Sequence, residues 1–454
     1  MKTNLISNAL YAVGAITFTI AFGSNAHAIE TSWAEVQVPA KDYVQYEGSN
    51  PLFKDGFLTG FGSALALKEV KDDGTVVLYG LTDRGPNADG PNVVDENGKV
   101  QVSKYFPTPK FNPQVGVISF KDGLAHVDKI IHLKNADGSL ITGLPIHQGL
   151  PGSTLERALD DNNQMLGFDD NGLDTEGLVF DKDGNMWISD EYGPFLMKFS
   201  PDGVLEEKYW PGNGLPEILK YRTPNRGAEG VSILPNGKLV LMEQSVLNIK
   251  RGDKKSGNTA SFCRVVIFDP LTHEVKTVGY PINTDYKKPG DAKLGDITVI
   301  NDHEFLIIEQ AKDKNKKMQN RIYRVDFSKA DDLTNALKDG LEPEFFKDAG
   351  GFKLAKKQLL VDLREYGWDI EKAEGLVVLP DEKTLIVTND NDFGLELKVH
   401  DTEHKKAKIK DYTLNQDKSF SFDGKKADVK LEFTHNADSE RVQKLMTIKL
   451  DHKL

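Results

Sequence analysis

Short runs of apolar residues, each bounded by turn residues, recur along most of the chain. Runs such as Val76–Leu81, Val115–Phe120 and Val265–Phe268 are rich in Val, Ile, Leu and Phe, and polar or turn-forming residues follow them. Such runs are typical of β-strands. Helical periodicity is confined to patches such as Ala330–Lys338 and Ala355–Leu363. The sequence therefore predicts an all-β fold.

Four strand pairs repeat one pattern. An acid opens the first strand, a tight turn follows, and a second acid or amide closes the antiparallel partner. The four copies are Thr175–Glu191, Ala228–Glu243, Gly295–Glu309 and Ala373–Asp390. A hairpin repeated with variable insertions is the signature of a β-propeller. We therefore expect one propeller domain of six or seven blades over residues 29–454, with its core motifs within residues 56–394.

The repeat also predicts a site. Two antiparallel strands joined by a tight turn bring both ends to one sheet edge, so the opening acids of the inner hairpins should converge at one mouth of the channel. Crowded carboxylates repel one another unless a cation or a basic side chain compensates, and calcium takes six to eight oxygen ligands. The predicted metal ligands are Glu176, Glu229, Asp296 and Glu374, with Asp83, Glu243 and Glu309 at neighbouring strand ends. Each acid taken alone could instead cap a strand end or pair with an arginine.

Other residues at the same strand ends are candidates for catalysis. Asp190 and Glu191 close the first hairpin and could act as the base. Arg84 and Arg226 could present guanidinium groups to a phosphate or carboxylate, or could neutralise the acids. The chain has no Gly-x-Ser-x-Gly elbow and no phosphate-binding loop of the Gly-x-x-x-x-Gly-Lys type, which argues against serine hydrolases and nucleoside triphosphatases.

Composition excludes further classes of binding partner and metal. The formal net charge of −12 argues against a nucleic-acid partner, which would favour a basic face. The ten histidines and the single cysteine make a zinc site improbable on composition. Cys263 lies in an apolar run and is predicted to be a small buried residue.

The first 28 residues resemble a signal peptide. Ala9–Phe22 is apolar, and Ala26-His27-Ala28 has the small-x-small pattern of a cleavage site. An uncleaved N-terminal anchor is the alternative. Cleavage before Ile29 would leave a periplasmic or secreted protein without membrane contact, which we expect to be monomeric.

Several segments resemble a known family, the bacterial phytase-like proteins described as having esterase-like activity of phytase. The matching segments are Thr82–Asn87, Gly172–Leu178, Trp187–Pro194, Asn225–Val231, Leu239–Gln244 and Lys372–Gly394. The resemblance implies a propeller and an exported phosphoesterase or esterase, and it supplies no established catalytic residues. Calcium-dependent phytases and gluconolactonase-type enzymes are also propellers with a metal at an acidic mouth, but that link is an analogy of architecture.

Residues and resemblance together favour metal-assisted hydrolysis of a small anionic phosphoester. A carboxylic ester or lactone hydrolase using the same site is one alternative. A propeller that binds a ligand without catalysis, with calcium in a structural role, is another.

Overall fold

The computed structural model describes residues 18–19, 29–94 and 98–454. The predicted signal peptide, residues 1–28, therefore lies outside the described residues except for the two-residue strand Phe18–Thr19. None of the described helices is long and apolar enough to cross a membrane.

Five four-stranded antiparallel units, which we call blades 1 to 5, form the body of the molecule, and a parallel strand pair joins blades 1 and 5 into one larger sheet. Blade 1 comprises Ala64–Val70, Val76–Leu81, Gln114–Lys121 and Leu124–His132. Blade 2 comprises Thr175–Phe180, Met186–Asp190, Phe195–Phe199 and Leu205–Pro211. Blade 3 comprises Ala228–Ile233, Leu239–Glu243, Phe262–Phe268 and Val275–Pro281.

The last two blades complete the set. Blade 4 comprises Lys293–Val299, Glu304–Lys312, Met318–Asp326 and Lys356–Asp362. Blade 5 comprises Gly375–Val378, Thr384–Thr388, Lys444–Lys449 and the N-terminal strand Glu30–Gln37. Its outer strand also pairs with blade 1 at Val36 and Ala125. The N-terminal and C-terminal parts of the chain thus share one blade.

The first strands of the five blades contact one another in a closed ring. Hydrogen bonds cross from blade to blade, for example from Asp296 N to Glu374 O at 2.8 Å and from Val299 N to Ser232 Oγ at 3.1 Å. Crowding at the axis explains the glycines of the repeat: a Cβ on Gly230 would lie 2.7 Å from Ile297 N. The all-β propeller prediction is confirmed.

The five blades seen in the described residues are fewer than the six or seven expected, because three long insertions occupy much of the chain. The insertions lie between blade strands at residues 82–113, 133–174 and 389–443, and strands from different insertions pair in two of three small sheets. The three sheets are Ala88–Asp89 with Ser103–Tyr105 and Arg157–Leu159; Asn92–Val94 with Val100–Gln101, Tyr412–Leu414, Phe420–Phe422 and Lys425–Ala427; and Leu395–His400 with Lys430–His435. Residues 402–454 therefore both complete blade 5 and contribute to the insertions.

The remaining elements are short. Two-residue strands lie at Gly214–Leu215, Lys250–Arg251 and Lys254–Lys255. The 3-10 helices are Ala40–Asp42, Pro51–Phe53, Glu217–Tyr221, Pro289–Asp291, Pro343–Phe345, Ala349–Gly351, Leu363–Tyr366, Asp392–Gly394 and Ile409–Asp411, and one α-helical turn spans Asp438–Arg441. The helical patch at Ala355–Leu363 is instead largely the outer strand of blade 4, and residues 330–338 form a loop with one turn at residues 334–335.

The hydrophobic core lies between neighbouring blades. Met242 and Val265 of blade 3, for example, belong to the same buried cluster as Ile307 and Val325 of blade 4. Cys263 is fully buried in that cluster, as the apolar run predicts. This packing leaves the strand ends and the insertions free to shape one polar mouth.

Candidate functional site

A polar cavity of about 580 Å³ opens where the inner strands meet the insertions. Carboxylates and cationic side chains make up much of its lining. The acids are Asp83, Asp89, Glu156, Asp174, Glu176, Glu191, Glu229, Glu374, Asp390 and Asp392, and the cationic residues are Arg84, Lys104, Arg226, Lys293, Lys372 and Lys410. The structure therefore concentrates opposite charges at one mouth of the propeller.

The cavity brings together many of the residues singled out in the sequence. Glu176, Glu229 and Glu374 converge there from blades 2, 3 and 5, and Asp83, Arg84, Glu191 and Arg226 line it with them. In blades 2, 3 and 4 the register shifts next to the opening acid, between Thr175 and Gly177 in blade 2 for example. A bulge of this kind changes the direction of a side chain, and it lies at the position that carries Glu176.

Asp296 and Glu309, two of the predicted ligands, do not line the cavity. The Asp296 carboxylate accepts the backbone N–H groups of Ile297 at 2.9 Å and Leu376 at 3.1 Å, so it joins blade 4 to blade 5. Glu309 forms a buried ion pair with Lys357. Both carboxylates therefore have internal partners of the kind that strand-end acids often have.

Asp190 and Glu243 also lie outside the cavity. The Asp190 carboxylate accepts the backbone N–H groups of Asp174 at 2.6 Å and Gly193 at 3.1 Å. Successive residues of a strand point to opposite sides, so the residue after each of these acids reaches the cavity instead. In blade 2 that residue is Glu191, and in blade 3 it is Gln244.

Three carboxylates form the acidic triad of the site: Asp174, Glu176 and Glu191 each place an oxygen within 4.8 Å of the other two. Asp174 Oδ2 is buried, and its partner is the guanidinium of Arg84, whose Nη1 lies 3.2 Å away. Burial, followed by the charges of Glu229 and Glu191, raises the pKa of Glu176 well above its ordinary value. Three mutually repelling carboxylates this close together fit a hard divalent cation.

Asp174 was not among the predicted ligands. It lies just before the strand Thr175–Phe180 and only two residues before Glu176, and this closeness to an opening acid is the signal of its role. That signal was present in the Gly172–Leu178 segment. Glu156, Lys104 and Lys410 come from the insertions, and Lys293 and Lys372 lie at blade edges, where no repeat marks them.

Arg84 is the buried cation beside the triad. Its Nη1 lies 3.2 Å from Asp174 Oδ2, 3.7 Å from Glu156 Oε2 and 3.2 Å from Asn225 Oδ1. Asn225 in turn donates to Glu156 Oε1 at 2.6 Å. These contacts fix one guanidinium at the wall of the cavity next to the carboxylates.

The other cations differ in how they are compensated. Lys372 forms ion pairs with Asp390 and Asp392. Burial alone would raise the pKa of Asp390, but the Lys372 ammonium outweighs it and lowers that pKa. Arg226 and Lys293 have no ion pair to a carboxylate in the part of the chain that the structure describes, and Arg226 contacts Ser245 Oγ and Asp291 O. The charge of Arg226 therefore remains available to an anionic ligand, whereas that of Lys293 also acts to lower the pKa values of Glu191, Glu229 and Glu374.

Several buried acids make the stability of the protein depend on pH. Burial raises the pKa of Asp296 and of Glu243 to about 8, with backbone hydrogen bonds at Asp296 and nearby arginines at Glu243 acting in the opposite direction. An acid with a raised pKa in the fold binds its proton more tightly there than in the unfolded chain. Its contribution to stability is complete below its ordinary pKa and is lost as the pH rises to about 8.

We therefore expect the melting temperature of the protein in EDTA to fall, by on the order of 5 °C, from about pH 5 to pH 8. Circular dichroism melts across this range measure it. In the control, Glu243→Gln keeps a neutral side chain at all pH values and should flatten the curve. A melting temperature that rises over the same range would contradict the assignment.

The profile of the phytase-like family, whose description is "Esterase-like activity of phytase", matches residues 60–393. The chain belongs to this family. The matched range agrees closely with the segment over which the sequence motifs resemble it. It includes the first strands of all five blades, the acidic triad and Arg84. The family region therefore contains every residue that lines the cavity except Lys410.

Known proteins similar to the chain include an "Uncharacterized secreted protein" of Arthroderma benhamiae, 28% identical, with the match covering 55% of this chain and 60% of that relative. The match thus spans less than two thirds of the relative's length. Among solved structures, the catalytic domain of the Coprinopsis cinerea GH62 α-L-arabinofuranosidase matches with a TM-score of 0.36 and 10% identity over 93% of this chain and 97% of that one. Virginiamycin B lyase from Staphylococcus aureus matches with a TM-score of 0.26 and 12% identity over 82% and 99% of the two chains.

Proposed function

We propose that this phytase-like protein is an exported, metal-dependent hydrolase that cleaves small phosphate esters at the mouth of the propeller. The observation that carries the proposal is the acidic triad, whose Asp174 forms an ion pair with the buried guanidinium of Arg84. A cation-binding group and an anion-binding group side by side suit a phosphoester. Membership of a family described by its esterase-like activity supports the same class of reaction.

The triad residues Asp174, Glu176 and Glu191 would hold the cation. The all-oxygen donor set favours calcium over softer metals. When bound, a divalent ion can polarise a phosphoryl oxygen and lower the pKa of a water molecule. Glu191 enters this set in place of its neighbour Asp190, whose carboxylate accepts backbone hydrogen bonds.

The remaining lining residues divide into anion binders and a proton donor. Arg84 and Lys104 lie on the same wall and would bind and orient the phosphate. Burial, then Glu374 and Glu191, raises the pKa of Glu229 well above its ordinary value, which favours the protonated carboxyl. We assign to Glu229 the transfer of that proton to the oxygen of the leaving group. Arg226, which also lines the cavity, would stabilise negative charge.

Export and solution state belong to the same proposal. The small-x-small pattern at Ala26-His27-Ala28 favours cleavage before Ile29, and the name of the secreted relative supports export. Cleavage there would leave the blade 5 strand Glu30–Gln37 intact. N-terminal sequencing of protein exported from a bacterial host tests the boundary. We propose a monomer that acts on a small ester, without nucleic acid or membrane.

The proposal is tested by hydrolysis of 4-nitrophenyl phosphate with purified protein. We expect turnover in calcium, loss of turnover in EDTA and recovery when calcium is added back. A panel of 4-nitrophenyl acetate and aliphatic lactones runs in parallel. Turnover of the carboxylic esters or lactones alone would replace the phosphoesterase with a carboxylic ester hydrolase. No turnover of any ester, with calcium still raising the melting temperature, would leave a binding protein with a structural cation.

A further inference from the structure

The side-chain amide of Gln244 connects two carboxylates in the floor of the cavity. Its Nε2 donates to Glu229 Oε2 at 2.7 Å and also to Glu191 Oε1. Glu191 comes from blade 2, whereas Glu229 belongs to blade 3 with Gln244 itself. One amide nitrogen therefore uses both of its hydrogens to hold acids of two neighbouring blades.

The backbone fixes Gln244 firmly. Its N–H donates to Gly227 O at 2.8 Å, and its carbonyl accepts from Leu294 N at 2.8 Å. The residue thus lies between blades 3 and 4 with little freedom. In this orientation the amide N–H₂ faces Glu191 Oε1 and Glu229 Oε2, whereas the reverse orientation would set its oxygen against the Glu191 carboxylate.

The other end of the same amide is unsatisfied. Gln244 Oε1 is buried and has no hydrogen-bond partner within the described residues. Gln310, the matching residue of blade 4, contrasts with it: its Nε2 donates to Glu374 at 3.2 Å, and its Oε1 accepts from Asn320 and from Ala373 N. A glutamine placed for stability would resemble Gln310, with partners at both ends. Gln244 leaves one end unpaired so that both N–H groups reach the acids.

We propose that Gln244 is a positioning residue that holds the Glu191 carboxylate in place for the cation of the acidic triad. This inference rests on the proposed function, since it assumes that the triad binds a divalent ion. Without the amide, Glu191 would be free to rotate away from Asp174 and Glu176. Groups that orient a metal ligand are commonly worth 10- to 100-fold in metal affinity.

The test compares Gln244→Met with Gln310→Met. Both replacements keep the side-chain length and remove the amide, but Gln310 contacts Glu374 and does not contact the triad. Calcium affinity is measured by isothermal titration calorimetry at neutral pH, together with the melting temperature in EDTA. We expect Gln244→Met to weaken calcium binding by roughly 10- to 100-fold and Gln310→Met to leave it unchanged.

The outcomes separate this inference from the proposed function. If the wild-type protein binds no calcium, the cation site itself is wrong. If the wild type binds calcium and Gln244→Met binds it equally well, the positioning role is wrong while the cation site stands. Equal losses of calcium affinity in Gln244→Met and Gln310→Met would also overturn the positioning role, because they would reflect a general disturbance of the cavity lining. If Gln244→Asn binds calcium more tightly than Gln244→Leu, the loss of affinity is due to the missing amide.

Discussion

Replacing Glu176 by Gln is expected to reduce kcat/KM for 4-nitrophenyl phosphate by roughly 10³-fold, the loss typical of removing one group that stabilises charge in the transition state. Glu176 is half-buried at the cavity and accepts no hydrogen bond from the described residues. Its replacement therefore removes a charged ligand of the triad without breaking an internal contact. The fold and the melting temperature in EDTA should be retained, and calcium affinity should fall together with activity.

Asp296→Asn is the matched control for Glu176→Gln. Asp296 opens the hairpin of blade 4 as Glu176 opens that of blade 2, but its carboxylate contacts backbone N–H groups rather than the cavity. Any loss in this variant should appear in the melting temperature, with kcat/KM unchanged. Equal losses of activity in both variants would mean that the site requires the whole ring of opening acids. Full activity in Glu176→Gln would remove the triad from the mechanism.

The all-β propeller could be predicted because its signal is local. Each hairpin of the repeat has its own apolar runs and turn, and these form in the structure at Thr175–Asp190 and the equivalent positions. The number of blades has no local signal. Blade 5 forms when Glu30–Gln37 pairs with Lys444–Lys449 from the other end of the sequence, and no pattern within either strand records that pairing.

The candidate site could be predicted in part for the same reason. Convergence of Glu176, Glu229 and Glu374 follows from the repeat, since equivalent strand ends meet at one mouth. Blades 2, 3 and 4 share a register shift beside the opening acid, yet Glu176 reaches the cavity whereas Asp296 accepts backbone N–H groups of blades 4 and 5. The partners of Asp296 come from two blades, so no pattern within one hairpin predicts them. Lys104 and Glu156 come from insertions without repeats, so only the folded chain places them beside Arg84.

The largest effect on stability is expected from the buried ion pair between Arg264 of blade 3 and Glu344 of the 3-10 helix Pro343–Phe345. Both side chains are almost fully buried, and the pair is bidentate, with Nε to Oε1 at 2.6 Å and Nη2 to Oε2 at 3.1 Å. Arg264→Met leaves the Glu344 charge buried without its partner. We expect this variant to lose about 3–5 kcal/mol of unfolding free energy in urea titrations.

A second pair and a double variant make that prediction specific. Arg324 and Glu304 form a bidentate pair of the same chemistry on the partly exposed surface of blade 4, so Arg324→Met should cost less than about 1 kcal/mol. Replacing both Arg264 and Glu344 by Met removes both buried charges together. This double variant should therefore be more stable than Arg264→Met alone. A loss in the double variant equal to the sum of the losses in Arg264→Met and Glu344→Met would show that shape, and not charge, holds the 3-10 helix Pro343–Phe345 on blade 3.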